Sequence, residues 1–147
     1  MKALVVYDSN YGNTQKVAEL IANEIGGKAV SISTINPSDL SGLDVLVVGT
    51  PIIGWKPTVK MQEFLSKLEG KQLTGISVTT FDTRVKLFIH GDAMGKVADA
   101  LKSAGANIFI NPIPFYVAGP QQTPYLLDGE LEKAKTWAKE IKNNIKE

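Results

Sequence analysis

Short, continuous apolar runs alternate along this chain with segments that have helical periodicity. Five such runs occur, at residues 3–7, 29–33, 45–49, 76–81 and 107–110. Their length and their lack of polar alternation are typical of strands buried on both faces. Apolar stripes with a period near 3.6 residues begin at Val17, Met61, Met94 and Leu131 and predict four helices. This alternation predicts an α/β fold in which helices cover both faces of a parallel sheet.

Turn-forming residues mark where several of these elements end. Gly26 and Gly27 follow the first predicted helix, and Pro57 is expected to open the second. The proline-rich segment 112–128 is expected to be irregular, with a candidate strand at 115–118. A chain of 147 residues fits one domain, 1–147. Five strands in this length favour the doubly wound order 2-1-3-4-5 over the larger six-stranded dinucleotide fold.

Ligands of such sheets bind outside the carboxyl ends of the strands, where the strand order reverses between strands 1 and 3. The predicted loops at this edge are residues 8–14, 50–57 and 81–91. The chemistry available to the chain itself is limited, because it has no cysteine and one histidine. Disulfides, iron–sulfur ligation and thiol redox chemistry are therefore excluded. We expect a bound cofactor to supply the chemistry.

The charge and hydropathy patterns limit the binding partners and the cellular location that we expect. The net charge is +1 and the lysines form no stripe, so the sequence makes no case for nucleic acid. The first apolar run is too short for a signal peptide or a membrane span. We therefore expect a cytoplasmic protein that binds neither nucleic acid nor membrane.

The first loop is rich in neutral hydrogen-bonding groups. Ser9 and Thr14 offer hydroxyls, Asn10 and Asn13 offer amides, and Gly12 permits close approach of the backbone. Neither the dinucleotide fingerprint nor the P-loop motif is present. Neutral donors and the positive end of the following helix are suited to a phosphate. A loop that only caps the helix is the alternative, but one cap would need fewer polar groups.

The other two loops carry less specific signals. In the second, Trp55 beside Gly54 offers a flat face for stacking on a ligand, although a tryptophan shielding the sheet edge is an equal alternative. In the third, Arg84 is expected either to pair with Asp82 or to point at a ligand. His90 is a lone histidine, which more often has a structural role.

The three loops together resemble the flavodoxin family, and the resemblance covers essentially the whole chain. The run from Ser9 to Thr14 is similar to the family's phosphate loop, Ser/Thr-x-Ser/Thr-Gly-x-Thr, with Tyr11 in place of the usual hydroxyl. Gly54-Trp55 is similar to the stacking position of the second loop. The third loop departs from the family, because Lys86 stands where many flavodoxins have a tyrosine, and Phe88 is the nearest aromatic residue.

The resemblance implies a flavodoxin-like doubly wound five-stranded sheet and one non-covalent FMN, with no metal and no catalytic side chain. The peptide at Ile53–Gly54 would face the flavin. The cofactor-binding residues that it implies are Ser9, Asn10, Tyr11, Gly12, Asn13, Thr14, Thr50, Pro51, Ile52, Ile53, Gly54, Trp55, Phe81, Asp82, Thr83, Arg84 and His90.

The implied function is that of a monomeric flavodoxin, which shuttles electrons between redox partner proteins through the semiquinone and hydroquinone. Because Lys56, Arg84 and Lys86 lie in the loops, we expect a higher potential than in acidic flavodoxins. An FMN-dependent NAD(P)H or quinone-type oxidoreductase on the same fold is the alternative. A phosphoacceptor signalling domain is disfavoured, because it needs paired acids after strand 1, whereas Asp8 stands alone.

Overall fold

The computed structural model describes residues 2–53, 55–86, 91–120 and 122–145. Its strands are β1 (Ala3–Tyr7), β2 (Lys28–Ser31), β3 (Val45–Pro51), β4 (Ser77–Val85), β5 (Asn107–Ile108), β6 (Ile113–Ala118) and β7 (Tyr125–Leu126). Its helices are α1 (Asn13–Ile25), α2 (Val59–Ser66), α3 (Ala93–Ser103) and α4 (Glu130–Asn144). Two short 3-10 helices, Ile32–Thr34 and Pro37–Leu40, lie between β2 and β3.

The sheet has the order β2-β1-β3-β4-β6-β7, and β5 also pairs with β4. All pairs are parallel except β6 with β7. The predicted fold class and strand order are confirmed, with the fifth strand position divided between β5 and β6. Val78 pairs with Ile108 but Phe81 pairs with Ile113, so two extra residues are accommodated between the two pieces.

Two hydrophobic cores lie on opposite faces of the sheet. Adjacent residues of β1 belong to different cores: Val5 packs with α1 and α4, and Val6 packs with α2 and α3. Because both faces are covered, the strands carry no polar alternation, which is why they appear as continuous apolar runs in the sequence.

The fourth strand is longer than the sequence predicted. It was expected to end at Phe81, but it continues to Val85 because it pairs with β3 as far as Thr83 and with β6 as far as Val85. Phe81 is therefore a core residue and not the start of a loop. Its ring packs over Gly49, where an added Cβ would lie 2.1 Å from Cζ.

Two other boundaries also differ from expectation. The second helix begins at Val59 with Thr58 as its N-cap, so Pro57 precedes the cap instead of opening the helix. The candidate strand at 115–118 is part of β6, which forms five register pairs with β4. The described part of the segment 112–128 thus contains two strands, β6 and β7, where its prolines indicated irregular structure.

Candidate functional site

A cavity of about 500 Å³ lies at the carboxyl edge of β1, β3, β4 and β6, the edge that the sequence analysis selected. Its walls come from three predicted loop regions and from the segment after β6. The lining residues are Ser9, Asn10, Tyr11, Asn13, Thr14, Pro51, Ile52, Ile53, Thr83, Arg84, Val85, Val117, Ala118, Gly119, Pro120 and Pro124. This volume is within the range of small-molecule sites.

The amino terminus of α1 forms one end of the cavity. Its N-cap, Gly12, has φ 92° and no side chain, and the first turn of the helix holds no acidic residue. In contrast, side chains cap α2 and α3, and two glutamates lie in the first turn of α4. The N–H groups of Asn13 and Thr14 donate no hydrogen bond within the described residues. The positive end of the helix dipole thus faces the cavity without a protein anion.

Hydrogen bonds hold this first loop in place. The Ser9 hydroxyl accepts from the N–H of Gly12 at 3.1 Å, and the Asn13 amide donates to the carbonyl of Pro124 at 2.9 Å. The hydroxyls of Thr14 and Thr83 are 2.9 Å apart, and both side chains are buried. The loop is therefore tied both to β4 and to the segment after β6.

Asp8 and Thr58 connect the first loop to the second, and neither was among the predicted site residues. The Thr58 hydroxyl donates to Asp8 Oδ2 at 2.5 Å, while Asp8 Oδ1 accepts from the N–H of Ser9 at 3.0 Å. The same hydroxyl accepts from the N–H of Met61 at 3.1 Å and so caps α2. The N-cap preference of threonine was the sequence signal that could have identified this residue.

The second loop contributes Pro51, Ile52 and Ile53 to the apolar wall of the cavity. Backbone hydrogen bonds between Ile53 and Lys56, 2.8 and 3.2 Å long, close a tight turn. Trp55 lies on this turn with φ 71°, is half exposed and is not among the lining residues. The expected stacking surface is therefore outside the cavity wall in this structure. Thr50 is fully buried behind the wall, where its hydroxyl accepts from the N–H of Thr58 at 3.3 Å.

The third region contains a buried ion pair. Arg84 donates from Nε to Asp82 Oδ1 at 2.7 Å and from Nη2 to Asp82 Oδ2 at 2.5 Å. Asp82 also accepts from the N–H of Met94 at 3.0 Å, and Asp92 Oδ1 lies 3.7 Å from Arg84 Nη2. Burial by itself lowers the pKa of Arg84, but the hydrogen bonds and charge of Asp82, with the charge of Asp92, outweigh burial and raise that pKa. Arg84 pairs with Asp82, as one of the two alternatives expected, and it also lines the cavity. Contact between Arg84 and a ligand stays a prediction.

Several predicted residues take other positions. Phe81 is in the core and Asp82 is fully buried, so neither lines the cavity; the cause is the extension of β4 past both residues. Lys86, at the position where the family has a tyrosine, lies 5.7 Å from the centroid of the Tyr116 ring. Gly54, Phe88 and His90 are outside the described residues.

The segment after β6 forms a wall that the sequence analysis did not identify. Val117, Ala118 and Gly119 line the cavity at the end of this strand, and Pro120 and Pro124 continue the wall toward the first loop. The candidate strand at 115–118 was the available signal, because its carboxyl end must lie at the same edge as the other parallel strands.

The described parts of the chain contain neither a cluster of metal-ligating side chains nor a helix of membrane-spanning character. No group of three or more histidine, aspartate and glutamate side chains there is arranged to hold a metal ion. Within the same parts, no helix is long and apolar enough to cross a membrane.

The sheet order, the two helical layers and the cavity at the switch point define a flavodoxin-like α/β domain. Residues 4–89 match the family model described as a flavodoxin domain, and the chain belongs to this family. Membership of the family implies a flavin cofactor. The residues present fit such a group, because a helix terminus whose Asn13 and Thr14 N–H groups have no acceptor among the described residues faces a cavity with apolar walls.

Individual relatives agree with this assignment. The chain is 27% identical to an uncharacterized protein of Methanocaldococcus jannaschii, with 98% of this chain and 100% of that protein covered. It is also 27% identical to Flavodoxin 1 of Salmonella typhimurium, over 71% of this chain and 63% of that protein. Oxidised Flavodoxin 1 from Bacillus cereus has the same fold, with a TM-score of 0.84 at 18% identity and coverage of 99% and 100%.

Proposed function

We propose that this protein binds FMN without a covalent bond and transfers electrons between redox partner proteins. The observation that carries the proposal is the amino terminus of α1, where the N–H groups of Asn13 and Thr14 have no acceptor within the described residues. Such a terminus at the edge of a cavity is suited to a phosphate dianion.

The first loop provides the proposed phosphate site. The first loop contains no lysine or arginine, so none of its residues that line the cavity is a cation. A phosphate bound there relies on N–H groups, hydroxyls and the helix dipole. An added Cβ on Gly12 would meet nothing within 4 Å, so the space beside this residue is open. Ser9 and Thr14 line the cavity, and their hydroxyls are held by hydrogen bonds to Gly12 and Thr83. Preorganised neutral donors of this kind favour a flavin that carries a phosphate ester over a flavin without a phosphate.

The opposite end of the cavity provides a site for the ring system. Ile52, Ile53, Val85, Val117 and Ala118 form apolar walls, which bind a flat aromatic group and exclude water from it. The FMN ring system supplies the electron-transfer chemistry when it is bound. Thr83 and Arg84 are the polar lining residues of β4, and they would hydrogen-bond to the bound cofactor. The Thr83 hydroxyl, 2.9 Å from that of Thr14, lies near the phosphate end.

A carrier is favoured over an oxidoreductase by the side chains of the cavity. Among the lining residues within the described parts of the chain, Tyr11 and Arg84 are the titratable ones. Arg84 remains protonated, because its pKa is raised by Asp82 and Asp92 despite burial. Arg84 is therefore not suited to act as a general base on a substrate. The proposal therefore assigns electron transfer to partner proteins, with a monomer as the working state.

The direct test begins with the chromophore of the purified protein. Denaturation should release FMN, and the refolded protein should bind added FMN in a one-to-one ratio with quenching of the flavin fluorescence. During stepwise reduction, a one-electron-reduced form should accumulate. Release of FAD, or no binding of FMN after refolding, would contradict the cofactor assignment. Rapid turnover of NAD(P)H without a partner protein would support the oxidoreductase instead.

A further inference from the structure

A second groove, of about 450 Å³, lies between α2 and α3 beside the second loop. Lys56 and Lys96 are its charged lining residues, and no carboxylate of the described chain lines it. Neither ammonium group forms an ion pair with a described residue. The Lys96 ammonium donates to the backbone carbonyl of Trp55 at 3.4 Å, which leaves further N–H groups for an external acceptor.

Exposed apolar side chains lie next to this groove. Ile53, Trp55 and Val59 are 49, 53 and 69% exposed, and all three belong to the second loop and the start of α2. Ile53 also lines the proposed flavin site, so Trp55, two positions further along the same turn, lies close to that site. Large exposed apolar residues grouped in this way mark interaction surfaces, and tryptophan is prominent among residues that dominate binding energy.

The backbone of Trp55 is supported from two sides. Its φ of 71° is uncommon for a residue other than glycine. An added Cβ on Gly91 would lie 2.6 Å from the carbonyl oxygen of Trp55, so the residue preceding α3 by two positions packs directly against this turn. The Lys96 ammonium contacts the same carbonyl oxygen. The exposed tryptophan is thus presented from a supported backbone, which lowers the entropy cost of docking.

We propose that Trp55, Val59, Lys56 and Lys96 form a docking face for an acidic surface of a redox partner protein. The proposal rests on the proposed function, because docking here places the partner beside the apolar end of the cofactor cavity. Carboxylates of the partner enter the groove between the two ammonium groups, and its apolar side chains cover Trp55 and Val59. The face thus combines an apolar centre with unpaired cations at its edge, as protein interfaces do.

Acidic side chains near the docking face do not neutralise the positive charge of Lys56 and Lys96. Glu63 on α2 and Asp99 on α3 are exposed but do not line the groove, and Asp92 lies 3.7 Å from Arg84. An anionic membrane is the competing partner. It is disfavoured because membrane-binding segments usually cluster about four to eight lysine or arginine residues, whereas two line this concave groove.

The test uses the FMN-loaded protein and a strongly acidic plant-type [2Fe–2S] ferredoxin as the probe. In an NMR titration at low salt, the amide signals of residues 55–60 and 93–100 should shift most. Lys96→Glu should weaken the association by about fivefold or more, and adding Lys56→Glu should weaken it further. Both effects should fall below about twofold near 0.5 M salt, because exposed charges are screened there. Lys139→Glu is the matched control, since Lys139 is an exposed lysine of α4 on the opposite side of the sheet.

The possible results separate this proposal from the proposed function. NMR shifts that map to other residues overturn the proposed docking face. An equal loss of ferredoxin affinity in the Lys139→Glu control also overturns it. Stronger binding to phosphatidylserine-containing vesicles than to the ferredoxin, lost in Lys96→Glu, also overturns it and indicates a membrane. FMN affinity is measured separately for every variant. If the wild-type protein fails to bind FMN, the proposed function falls, and the same titration of the cofactor-free protein still decides the docking face.

Discussion

The Arg84 guanidinium and the Asp82 carboxylate form a two-point ion pair on the same strand, with N–O distances of 2.7 and 2.5 Å. Both side chains are almost completely buried, and Arg84 also lines the cavity. The cation beside the proposed flavin site is therefore compensated by a carboxylate. This pairing reduces the rise in potential that the loop cations alone would cause.

The first prediction concerns this compensation. Asp82→Asn should leave only the more distant Asp92 carboxylate beside Arg84 and raise the reduction potential of the bound FMN, because a nearby cation stabilises a reduced anionic flavin. A retained effect of about 1 kcal/mol corresponds to roughly 40 mV for one electron. Spectroelectrochemical titration measures the shift, with Asp99→Asn as the control on an exposed acid. An unchanged potential in Asp82→Asn would show that Arg84 does not act on the flavin.

Removing one member of the same ion pair is expected to lower the free energy of unfolding. Arg84→Ala leaves the buried Asp82 carboxylate with the N–H of Met94 but without its cation. Removing one member of a buried ion pair typically costs about 3–5 kcal/mol. Urea unfolding should show a loss of this size in the free energy of unfolding. A loss below about 1 kcal/mol would mean that solvent reaches the carboxylate.

Gly12 provides a test of the phosphate site with an unusually close control. Gly12 and Gly129 are both N-cap residues, with φ/ψ of 92/−10° and 86/−10°, and an added Cβ meets nothing within 4 Å at either. Alanine in this left-handed conformation costs roughly 1–2 kcal/mol, so Gly12→Ala and Gly129→Ala should lose similar stability. Only Gly12→Ala should weaken FMN binding, by about tenfold or more, and the bulkier Gly12→Val should abolish it. Equal FMN affinities in the two alanine variants would show that the phosphate does not bind in this loop.

The buried hydroxyl pair gives a second test of the same end of the cavity. Thr14→Val removes the hydrogen bond to Thr83 and one donor to the phosphate, and it should cost about 1 kcal/mol of stability. FMN affinity should fall roughly tenfold. Thr79→Val is the control, because the Thr79 hydroxyl is also buried and bonded, to the carbonyl of Ile110, but lies away from the cavity. Calorimetric titration with FMN compares the two, and a similar affinity in both would show that Thr14 acts only through the fold.

Trp55 distinguishes cofactor stacking from partner docking. Because its indole is exposed and outside the cavity wall, Trp55→Ala should change FMN affinity by less than about twofold. Aromatic stacking contributes about 0.5–1.5 kcal/mol beyond area burial, which is up to roughly tenfold in affinity. Fluorescence titration with FMN measures the difference, with Trp137→Phe as the control for the core tryptophan. A loss near tenfold would instead support the stacking that the sequence predicted.

The first loop could be predicted from the sequence because its donors are contiguous. The run from Ser9 to Thr14 carries its own turn residue and leads directly into a helix, so local chemistry was sufficient. Asp8 and Thr58 were missed because their hydrogen bond joins residues 50 positions apart. Although the predicted strand order brings these two loops to neighbouring strand ends, no local pattern records which side chains of the two loops meet.

The third loop was misplaced for a related reason. The length of β4 is determined by hydrogen bonds to β3 and β6, so polar residues such as Asp82 and Arg84 can remain within a strand. The sequence pattern ended the strand where its apolar run ended. Its end in the fold lies at Val85, where pairing with β6 stops.

The sequence alone determined the layered α/β architecture, the strand order and the edge of the sheet that carries the cavity. These follow from hydrophobic periodicity and from the rule that parallel strands end together, and both are properties of the chain order. The tertiary structure decided which side chains line the cavity, how the charge of Arg84 is balanced and where Trp55 lies. The reason is physical: burial and strand register are set by residues far apart in the chain, which come together only in the packed fold. Asp82 and Arg84 are close in sequence, but the burial of their ion pair depends on the pairing of β4 with β3 and β6.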